Sequence, residues 1–139
     1  MPRFSDFITA SGAKGTEVAV PCEVPAISIT RRQLADELVA AGCSEQVVRN
    51  AVVVLSELLM NAMIHGVPDE EDRVCARWWV IDGVVAVSVT DAGGTGLPRL
   101  ERASLSDAGG RGLLVVDAVS ASWTVDTSDG TTVTAIVRD

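Results

Sequence analysis

A long, mostly apolar stretch carries four strongly polar side chains at helical spacing: Asn50, Glu57, Asn61 and His65. Steps of four and seven residues return to nearly the same side of an α-helix, so these side chains would form one narrow stripe. A carboxylate on so apolar a helix is costly to bury unless it faces a polar cleft, a cation or water. An amide oxygen one turn later could coordinate Mg²⁺ while the carboxylate accepts a proton from an attacking hydroxyl. The stripe is also typical of a solvated helix face, and the helix dipole favours a histidine at a helix end.

A second group of candidates follows a predicted strand, in the segment Asp91-Ala-Gly93-Gly-Thr-Gly96. The carboxylate of Asp91 could accept a hydrogen bond from the exocyclic amine of a purine, and Gly93 would let the ring approach the backbone. Aspartate and glycine after a strand are also the ordinary composition of a turn.

A third group, Gly109-Gly110-Arg111-Gly112-Leu113, runs from glycines into a predicted helix. Free backbone N–H groups at the amino end of a helix point towards an anion, glycine permits close approach, and Arg111 adds a positive charge. This arrangement favours phosphate binding, although a plain junction between a loop and a helix has the same composition.

The composition indicates one globular domain of 139 residues, of which 47% are hydrophobic and 22% charged. The formal net charge of -8 would repel a phosphate backbone, so direct nucleic-acid binding is not expected. The amino terminus lacks the apolar core of a secretory signal, and the apolar run from Ala51 to Ile64 is short for a membrane span and contains Glu57. These features predict a cytoplasmic protein without a membrane anchor. The three cysteines have no zinc-ligand spacing and are predicted to be free thiols.

Several other nucleotide and hydrolase sites are excluded by their missing motifs. The chain has a single lysine, Lys14, and no Gly-x-x-x-x-Gly-Lys-Ser/Thr, which rules out a P-loop. It has no Gly-x-Ser-x-Gly, so a serine hydrolase of the α/β type lacks its nucleophile turn. The dinucleotide-binding pattern is absent from the end of the first predicted strand.

The elements that would position the candidates follow from periodicity and turn signals. Thr30 and Gln33 fit a capping box that opens a helix ending near Ala41, and Ser44 caps a longer helix that ends at His65. Asp-Gly pairs at residues 82–83 and 129–130 predict two hairpin turns. The predicted order is a strand (17–22), a helix (30–41), a helix (44–65), a hairpin (73–81 and 84–90), a long loop (91–109), a helix (113–119) and a hairpin (122–126 and 131–137).

This order predicts an α/β sandwich of the α+β class, in which a mixed, mostly antiparallel sheet carries its helices on one face. Residues 1–15 have weak periodicity and are predicted to form a flexible leader. Residues 16–139 are predicted to form the single domain.

Taken in order, the three groups of candidates resemble the motifs of the Bergerat-fold, histidine-kinase-like ATPases. Within that superfamily, the short chain is most similar to the bacterial anti-sigma factor serine/threonine kinases, over about residues 17–138. The motifs that carry the resemblance are Glu57-Leu-Leu-Met-Asn61-Ala-Met-Ile-His65-Gly66, Asp91-Ala-Gly93 and Gly110-Arg111-Gly112-Leu113.

The resemblance implies a role for each matching residue. Glu57 corresponds to the family's general base and Asn61 to its Mg²⁺ ligand. Asp91 and Gly93 correspond to the adenine-recognition box, and Thr132 to a threonine near the adenine. The remaining residues of the implied ATP site are His65, Gly96, and the phosphate-closing segment of Gly110, Arg111, Gly112 and Leu113.

The resemblance also implies an activity and partners. Such a kinase binds ATP and Mg²⁺ and transfers the γ-phosphoryl group to a serine of an antagonist protein of the sulfate-transporter and anti-sigma-antagonist type. Phosphorylation releases the antagonist, and the freed kinase then sequesters a sigma factor. A homodimer is one assembly compatible with this resemblance. Two alternatives stay open: an ATP-binding sequestering module without kinase activity, and a nucleotide-free regulatory scaffold.

Overall fold

A computed structural model describes residues 15–93 and 108–139, with the side chains of the last helix described from residue 114 onwards. Residues 1–14 of the predicted leader, as well as Gly96, lie outside the described residues. Five strands and three helices occur in the described part of the chain. In chain order they are β1 (Thr16–Pro21), α1 (Val24–Ala40), α2 (Glu45–His65), β2 (Arg73–Ile81), β3 (Val84–Asp91), α3 (Ala108–Val119), β4 (Ser122–Asp126) and β5 (Thr131–Val137).

The strands form one sheet in the order β1-β2-β3-β5-β4, and each pair of neighbouring strands in it is antiparallel. Helix α2 packs on β3 at the centre of the sheet and contacts both α1 and α3. The predicted α+β architecture, with helices against one face, is confirmed. The prediction of a mixed, mostly antiparallel sheet is refined, because the described strand pairs are all antiparallel.

One hydrophobic core joins the helical layer to the sheet. The indole of Trp78 is buried on the helix-facing side of β2, and Leu34 of α1 is fully buried in the same cluster. Burying a side chain of this size stabilises a fold by about 1.5–3 kcal/mol. The buried residues of α2 are Val47, Ala51, Val54, Leu55, Leu58, Leu59 and Ala62.

Helix α2 begins and ends where the sequence predicts. The side chain of Ser44 accepts a hydrogen bond from the backbone N–H of Val47 at 3.2 Å, and Glu45 places a carboxylate in the positive first turn. The backbone N–H of Gly66 closes the last turn on the carbonyl of Ala62. Of the described helices, α2 is the one whose length and composition would also suit a membrane span, a test that core helices pass as well. Its packing between α1 and α3 makes it a core helix here.

The turn between β2 and β3 also forms as predicted. Both Asp82 and Gly83 have positive φ angles, of 51° and 78°, which is the backbone that a two-residue hairpin turn of type I′ requires. The second predicted hairpin forms between β4 and β5, across residues 127–130. The cysteines Cys22, Cys43 and Cys75 are free and partly buried, as predicted.

The start of α1 corrects the predicted capping box. The helix begins at Val24, six residues before Thr30, and its N-cap Glu23 makes no side-chain capping hydrogen bond. Thr30 is buried within the helix, where its hydroxyl donates to the carbonyl of Ala26 at 2.8 Å. The hydroxyl has therefore found a partner in the preceding turn of the helix. Pro25 lies in the first turn, where its missing N–H costs no intrahelical bond.

A carboxylate ties α1 to the edge of the sheet. Glu37 accepts hydrogen bonds from the hydroxyl of Thr16 at 2.6 Å, the indole N–H of Trp78 at 3.0 Å and the amide of Gln33 at 3.0 Å. Burial by itself raises the pKa of Glu37, but these three donors together outweigh it, and the pKa lies below its ordinary value. The ionised form of Glu37 is therefore the one that the fold stabilises.

Replacing Glu37 tests this connection. We expect Glu37→Ala to lower the free energy of unfolding by about 1–3 kcal/mol at pH 7, because it leaves the buried indole N–H of Trp78 without its acceptor. Because the folded-state pKa is depressed, this contribution is present above the unfolded pKa of about 4.3 and is lost as the pH falls through the folded pKa. The difference between the two proteins in urea unfolding, followed by tryptophan fluorescence, should therefore shrink below about pH 4. The exposed neighbour Asp36→Ala is the control and should change the free energy little; an equal loss in both variants would contradict the role of Glu37.

Candidate functional site

The carboxyl end of α2 meets the carboxyl end of β3. A side chain at Gly66 would collide with a carboxylate oxygen of Asp91 and would lie 2.5 Å from the carbonyl oxygen of Ala62. The chain just after each element is joined by a hydrogen bond of 2.7 Å, which the N–H of Ala92 donates to the carbonyl of Val67. The polar stripe of α2 and the Asp91 segment, which are separate in the sequence, are therefore neighbours.

The carboxylate of Asp91 is held in a defined orientation. One of its oxygens accepts a hydrogen bond from the backbone N–H of Gly93 at 2.6 Å, while the other faces Gly66. The position and the acceptor chemistry of Asp91 suit a purine amine.

Two glycines allow the Asp91 segment to pack against the turn between β4 and β5. Gly93 has a φ of 70° and Gly130 a φ of 72°. A Cβ atom on Gly93 would lie 2.5 Å from the Cα of Gly130, so the two backbones touch without intervening side chains. Gly93 thus has a structural role in addition to leaving the backbone accessible.

Glu57, Asn61 and His65 follow one another at one-turn intervals along α2 and lead towards Gly66. All three residues are partly buried, so the stripe is at the margin of the core and not on a fully solvated face. The Nε2 atom of His65 is buried and has no hydrogen-bond partner among the described residues. A buried polar atom in this state is suited to a polar ligand or an ordered water.

The pairing of β3 with β5 places Thr131 and Thr132 on opposite faces of the sheet. Thr132 pairs with Thr90, and their hydroxyl oxygens lie 2.7 Å apart in a hydrogen bond. Asp91 pairs instead with Thr131. Cross-strand partners share a face and neighbours along a strand alternate, so Thr131 lies on the face of Asp91 and Thr132 on the opposite face. Thr131 is therefore the threonine of this pair that shares a face with Asp91, and it becomes a candidate beside the predicted Thr132.

The sequence predicts the glycine segment at residues 109–112 as a loop before a helix, but the structure places this segment within the helix itself. Helix α3 begins at Ala108, so Gly110 and Gly112 are in its first turns, while the side chains of Arg111 and Leu113 are outside the described part. The first four N–H groups of a helix have no partner within it, which moves the anion-binding potential to residues 108–111.

The carboxyl end of α3 is fixed by its connection to β4. It leads into β4, where Ala121 donates a backbone hydrogen bond to Ile136, at the end of β5 remote from Thr131. Helix α3 also packs against α2.

The donors on α2 suit Mg²⁺ only together with other ligands. Within the described part of the chain, no three His, Cys, Asp or Glu side chains are grouped as a metal site. Mg²⁺ is commonly held by one or two protein oxygens, with substrate phosphates and water completing the shell. Glu57 and Asn61 offer such oxygens, and neither side chain forms a hydrogen bond or ion pair with another described residue. The pair fits a magnesium ion that arrives with phosphate.

Sequence reasoning missed three contributors to this site: Gly66, Gly130 and Thr131. The sequence predicts Gly66 as a helix stop and Gly130 as a turn residue, which they are, but their packing against the Asp91 segment depends on tertiary contacts. Thr131 could have been found from the strand register, since alternation along the two strands places one threonine of the pair beside Asp91.

Comparison with known proteins agrees with this geometry. Residues 20–137 match the family described as histidine kinase-like ATPase domain. The comparison with curated proteins found no match. Among solved structures, the chain is similar to the crystal structure of the RsbU and RsbW domains of Rv1364c from Mycobacterium tuberculosis, with a TM-score of 0.66 and 22% sequence identity. The alignment covers 90% of this chain and 32% of the other, so this chain spans about a third of that protein's crystallised length.

At this identity the structural likeness shows a shared fold. The family match shows more than a shared fold, because it includes α2, Asp91 and α3 and covers most of the chain. It confirms the resemblance that the three motifs predict: the chain belongs to the histidine kinase-like ATPase domain family.

Proposed function

We propose that this protein binds ATP with Mg²⁺ and phosphorylates a serine of an antagonist protein, as an anti-sigma regulatory kinase. The observation that carries the proposal is the contact of Gly66 with Asp91, which brings the polar stripe of α2 to the Asp91 segment in a domain of an ATPase family. An ATP molecule has a purine at one end and phosphates at the other, and the site offers an acceptor for the first and oxygen and N–H donors for the second.

Asp91 and Thr131 would bind the adenine. The carboxylate of Asp91, already oriented by the N–H of Gly93, would accept a hydrogen bond from the exocyclic amine. The hydroxyl of Thr131 lies on the same face of the sheet and can donate or accept beside it. The close packing of Gly93 on Gly130 would keep side chains out of this corner.

Asn61 and the amino end of α3 would hold the phosphates. The amide oxygen of Asn61 is a hard donor suited to Mg²⁺, and the N–H groups in the first turn of α3, at residues 108–111, would suit phosphate oxygens. Magnesium, when bound, would neutralise negative charge on the phosphates. Such local donors are needed because the net charge of -8 opposes an anionic ligand.

Glu57 would act as the general base. Its carboxylate would accept the proton of the serine hydroxyl while the serine oxygen bonds to the γ-phosphorus and the bond to the β–γ bridging oxygen breaks, which leaves ADP. In phosphoryl transfer, positioning and electrostatic stabilisation supply most of the rate, and the base orients the nucleophile. The position of Glu57 one turn before Asn61 would keep the base beside the metal ligand.

The proposal also includes the protein partners of this activity. The shared fold with a structure that contains an RsbW domain supports the narrower similarity to anti-sigma factor kinases. We propose an antagonist protein of the sulfate-transporter and anti-sigma-antagonist type as the acceptor and a sigma factor as the sequestered partner, in the cytoplasm. A homodimer would be compatible with this role.

Removing the charge of Asp91 should weaken nucleotide binding without unfolding the protein. Asp91→Asn keeps an oxygen for the N–H of Gly93 but loses the ionised acceptor. We expect the Kd for Mg·ATP, measured by isothermal titration calorimetry, to rise about tenfold to 100-fold, since a hydrogen bond to a charged group contributes about 1.5–3 kcal/mol. Asp36→Asn, on an exposed position of α1, should leave the Kd unchanged. Equal affinities of wild type and Asp91→Asn would refute adenine recognition at this residue.

The two threonines of β5 should separate binding from stability. Thr131→Val should raise the Kd for Mg·ATP several-fold with little change in the unfolding midpoint, because its hydroxyl is on the side of Asp91. Thr132→Val should leave the Kd nearly unchanged and lower the free energy of unfolding by about 0.5–1.5 kcal/mol, because it breaks the hydrogen bond with Thr90. The reverse pattern would return the adenine contact to Thr132.

The role of Glu57 can be tested by transfer of labelled phosphate from ATP to each purified antagonist domain encoded in the same genome. We expect Glu57→Gln to reduce the rate of transfer at least about 100-fold and to change the Kd for Mg·ATP only a few-fold, because it keeps the shape but loses the base. Glu45→Gln, at the exposed start of the same helix, is the matched control and should retain activity. Full activity of Glu57→Gln would show that Glu57 is not the base. Binding of ATP and partner without any transfer by the wild type would favour a sequestering module.

A further inference from the structure

The outer face of the sheet, which is the face opposite the described helices, holds two buried residues at its centre. Ala86 and Ser88 of β3 are 0% and 3% exposed. Side chains alternate along a strand, and Val85, Val87 and Val89 pack in the core beneath the helices. The two residues between them therefore point outwards. An antiparallel sheet commonly leaves such a face to water, yet here its centre is buried within one chain.

The side chain of Arg77 turns away from Ser88, its cross-strand partner on β2. Its guanidinium instead donates to the carboxylate of Glu17 on β1, with Nε 2.6 Å from the oxygen. On the other side, Ser88 pairs with Thr134 of β5, whose side chain is short. These two neighbours leave the space above Ser88 to another group.

The indole of Trp79 lies over Gly15, at the edge of the same face. A Cβ atom on Gly15 would collide with the indole nitrogen, so the ring occupies the space above this residue. Trp79 pairs with Ala86 on its other side, and its ring is turned away from that residue. Gly15 is also where residues 1–14 join the described chain, immediately before β1. The segment thus joins the fold beside the outer face.

We propose that residues 1–14 dock on the outer face of the sheet and cover Ala86 and Ser88. The segment contains Phe4 and Phe7, the chain's two phenylalanines, whose rings gain free energy by burial on an uncharged surface. It has to cross two strand spacings, about 10 Å, whereas 14 extended residues span about 45 Å. A docked segment replaces the flexible leader that weak periodicity predicts.

The tether to β1 favours this segment over a second protein. Because the segment is joined to the edge strand, it meets the outer face at a high effective concentration, and no other molecule has to be bound. Docking closes the face to other proteins until the segment leaves. The inference is independent of the proposed kinase function, because Asp91 and α2 lie on the other side of the sheet.

The test uses a cysteine as a probe of solvent access at position 88. The parent protein is the full-length chain with Ser88→Cys, in a background of Cys22→Ala, Cys43→Ala and Cys75→Ala that removes the natural thiols. The rate of alkylation of the new thiol by iodoacetamide is measured at two widely different protein concentrations.

Two pairs of substitutions are compared in this parent. The test variant adds Phe4→Ser/Phe7→Ser, which removes both rings of the segment. The matched control adds Ile29→Ser/Val39→Ser, which changes two exposed apolar residues of α1, in the helical layer on the opposite side of the fold.

We expect Phe4→Ser/Phe7→Ser to raise the alkylation rate at least about tenfold at both concentrations, because the loss of two buried rings shifts the segment towards its undocked state. The control should match the parent. If the cysteine variants fail to fold, tryptophan fluorescence of the otherwise native chain decides the question. Phe4→Ser/Phe7→Ser should then increase quenching by acrylamide, and this increase should be lost when Trp79→Phe is also present.

Three results would overturn the docked segment. An equal alkylation rate with and without the two phenylalanines would show that the side chains of the sheet themselves bury position 88. Slow alkylation of the parent at the high protein concentration alone would show that a second copy of the chain covers the face. Fast alkylation of the parent at both concentrations would show that the face is open.

Discussion

The contact between Gly66 and the carboxylate of Asp91 is the constraint on which the arrangement of this site depends. It joins the end of the central helix to the end of the central strand, and the hydrogen bond from Ala92 to Val67 repeats the connection one residue further along both segments. A side chain larger than hydrogen at position 66 would push the carboxylate away. The position of every residue on the polar stripe relative to Asp91 therefore follows from one close approach and from the regular rise of α2.

Three surfaces of different chemical character run along helix α2. One side supplies the largest part of the core, a narrow edge carries the polar stripe, and the outer side exposes Val53, Met60 and Ile64. The core contacts of α2 supply its stability, so Glu57 and Asn61 can remain without partners among the described residues. These two side chains are therefore available to a ligand and do not contribute to holding the fold together. The carboxylate of Glu37 has the opposite character, because it already accepts three hydrogen bonds, two of which hold α1 on the sheet.

The features that the sequence predicted correctly are those decided by neighbouring residues. The cap at Ser44 depends on an N–H three residues away, and the turn at Asp82-Gly83 depends on two backbone angles. The capping box at Thr30 failed because a threonine hydroxyl can bond the preceding turn just as well as it can cap a helix, and burial in the core favours the first. The pattern of residues alone does not distinguish these two partners.

The choice between Thr131 and Thr132 is a second question that the local sequence pattern does not decide. Both residues follow Gly130, and a resemblance of motifs can place either one beside the adenine. The register of β5 on β3 decides between them, because a shift of one residue turns every side chain to the other face.

Local periodicity and motif order were enough to predict the ATPase family, the strands and the central helix, and they make Glu57, Asn61 and Asp91 the candidates for the site. Tertiary contacts were needed to show that Gly66, Gly93 and Gly130 form the junction between these elements, and which threonine lies on the face of Asp91. The reason is physical: backbone contacts between distant segments and the face of a strand are set by how the elements pack, and no local pattern encodes that packing.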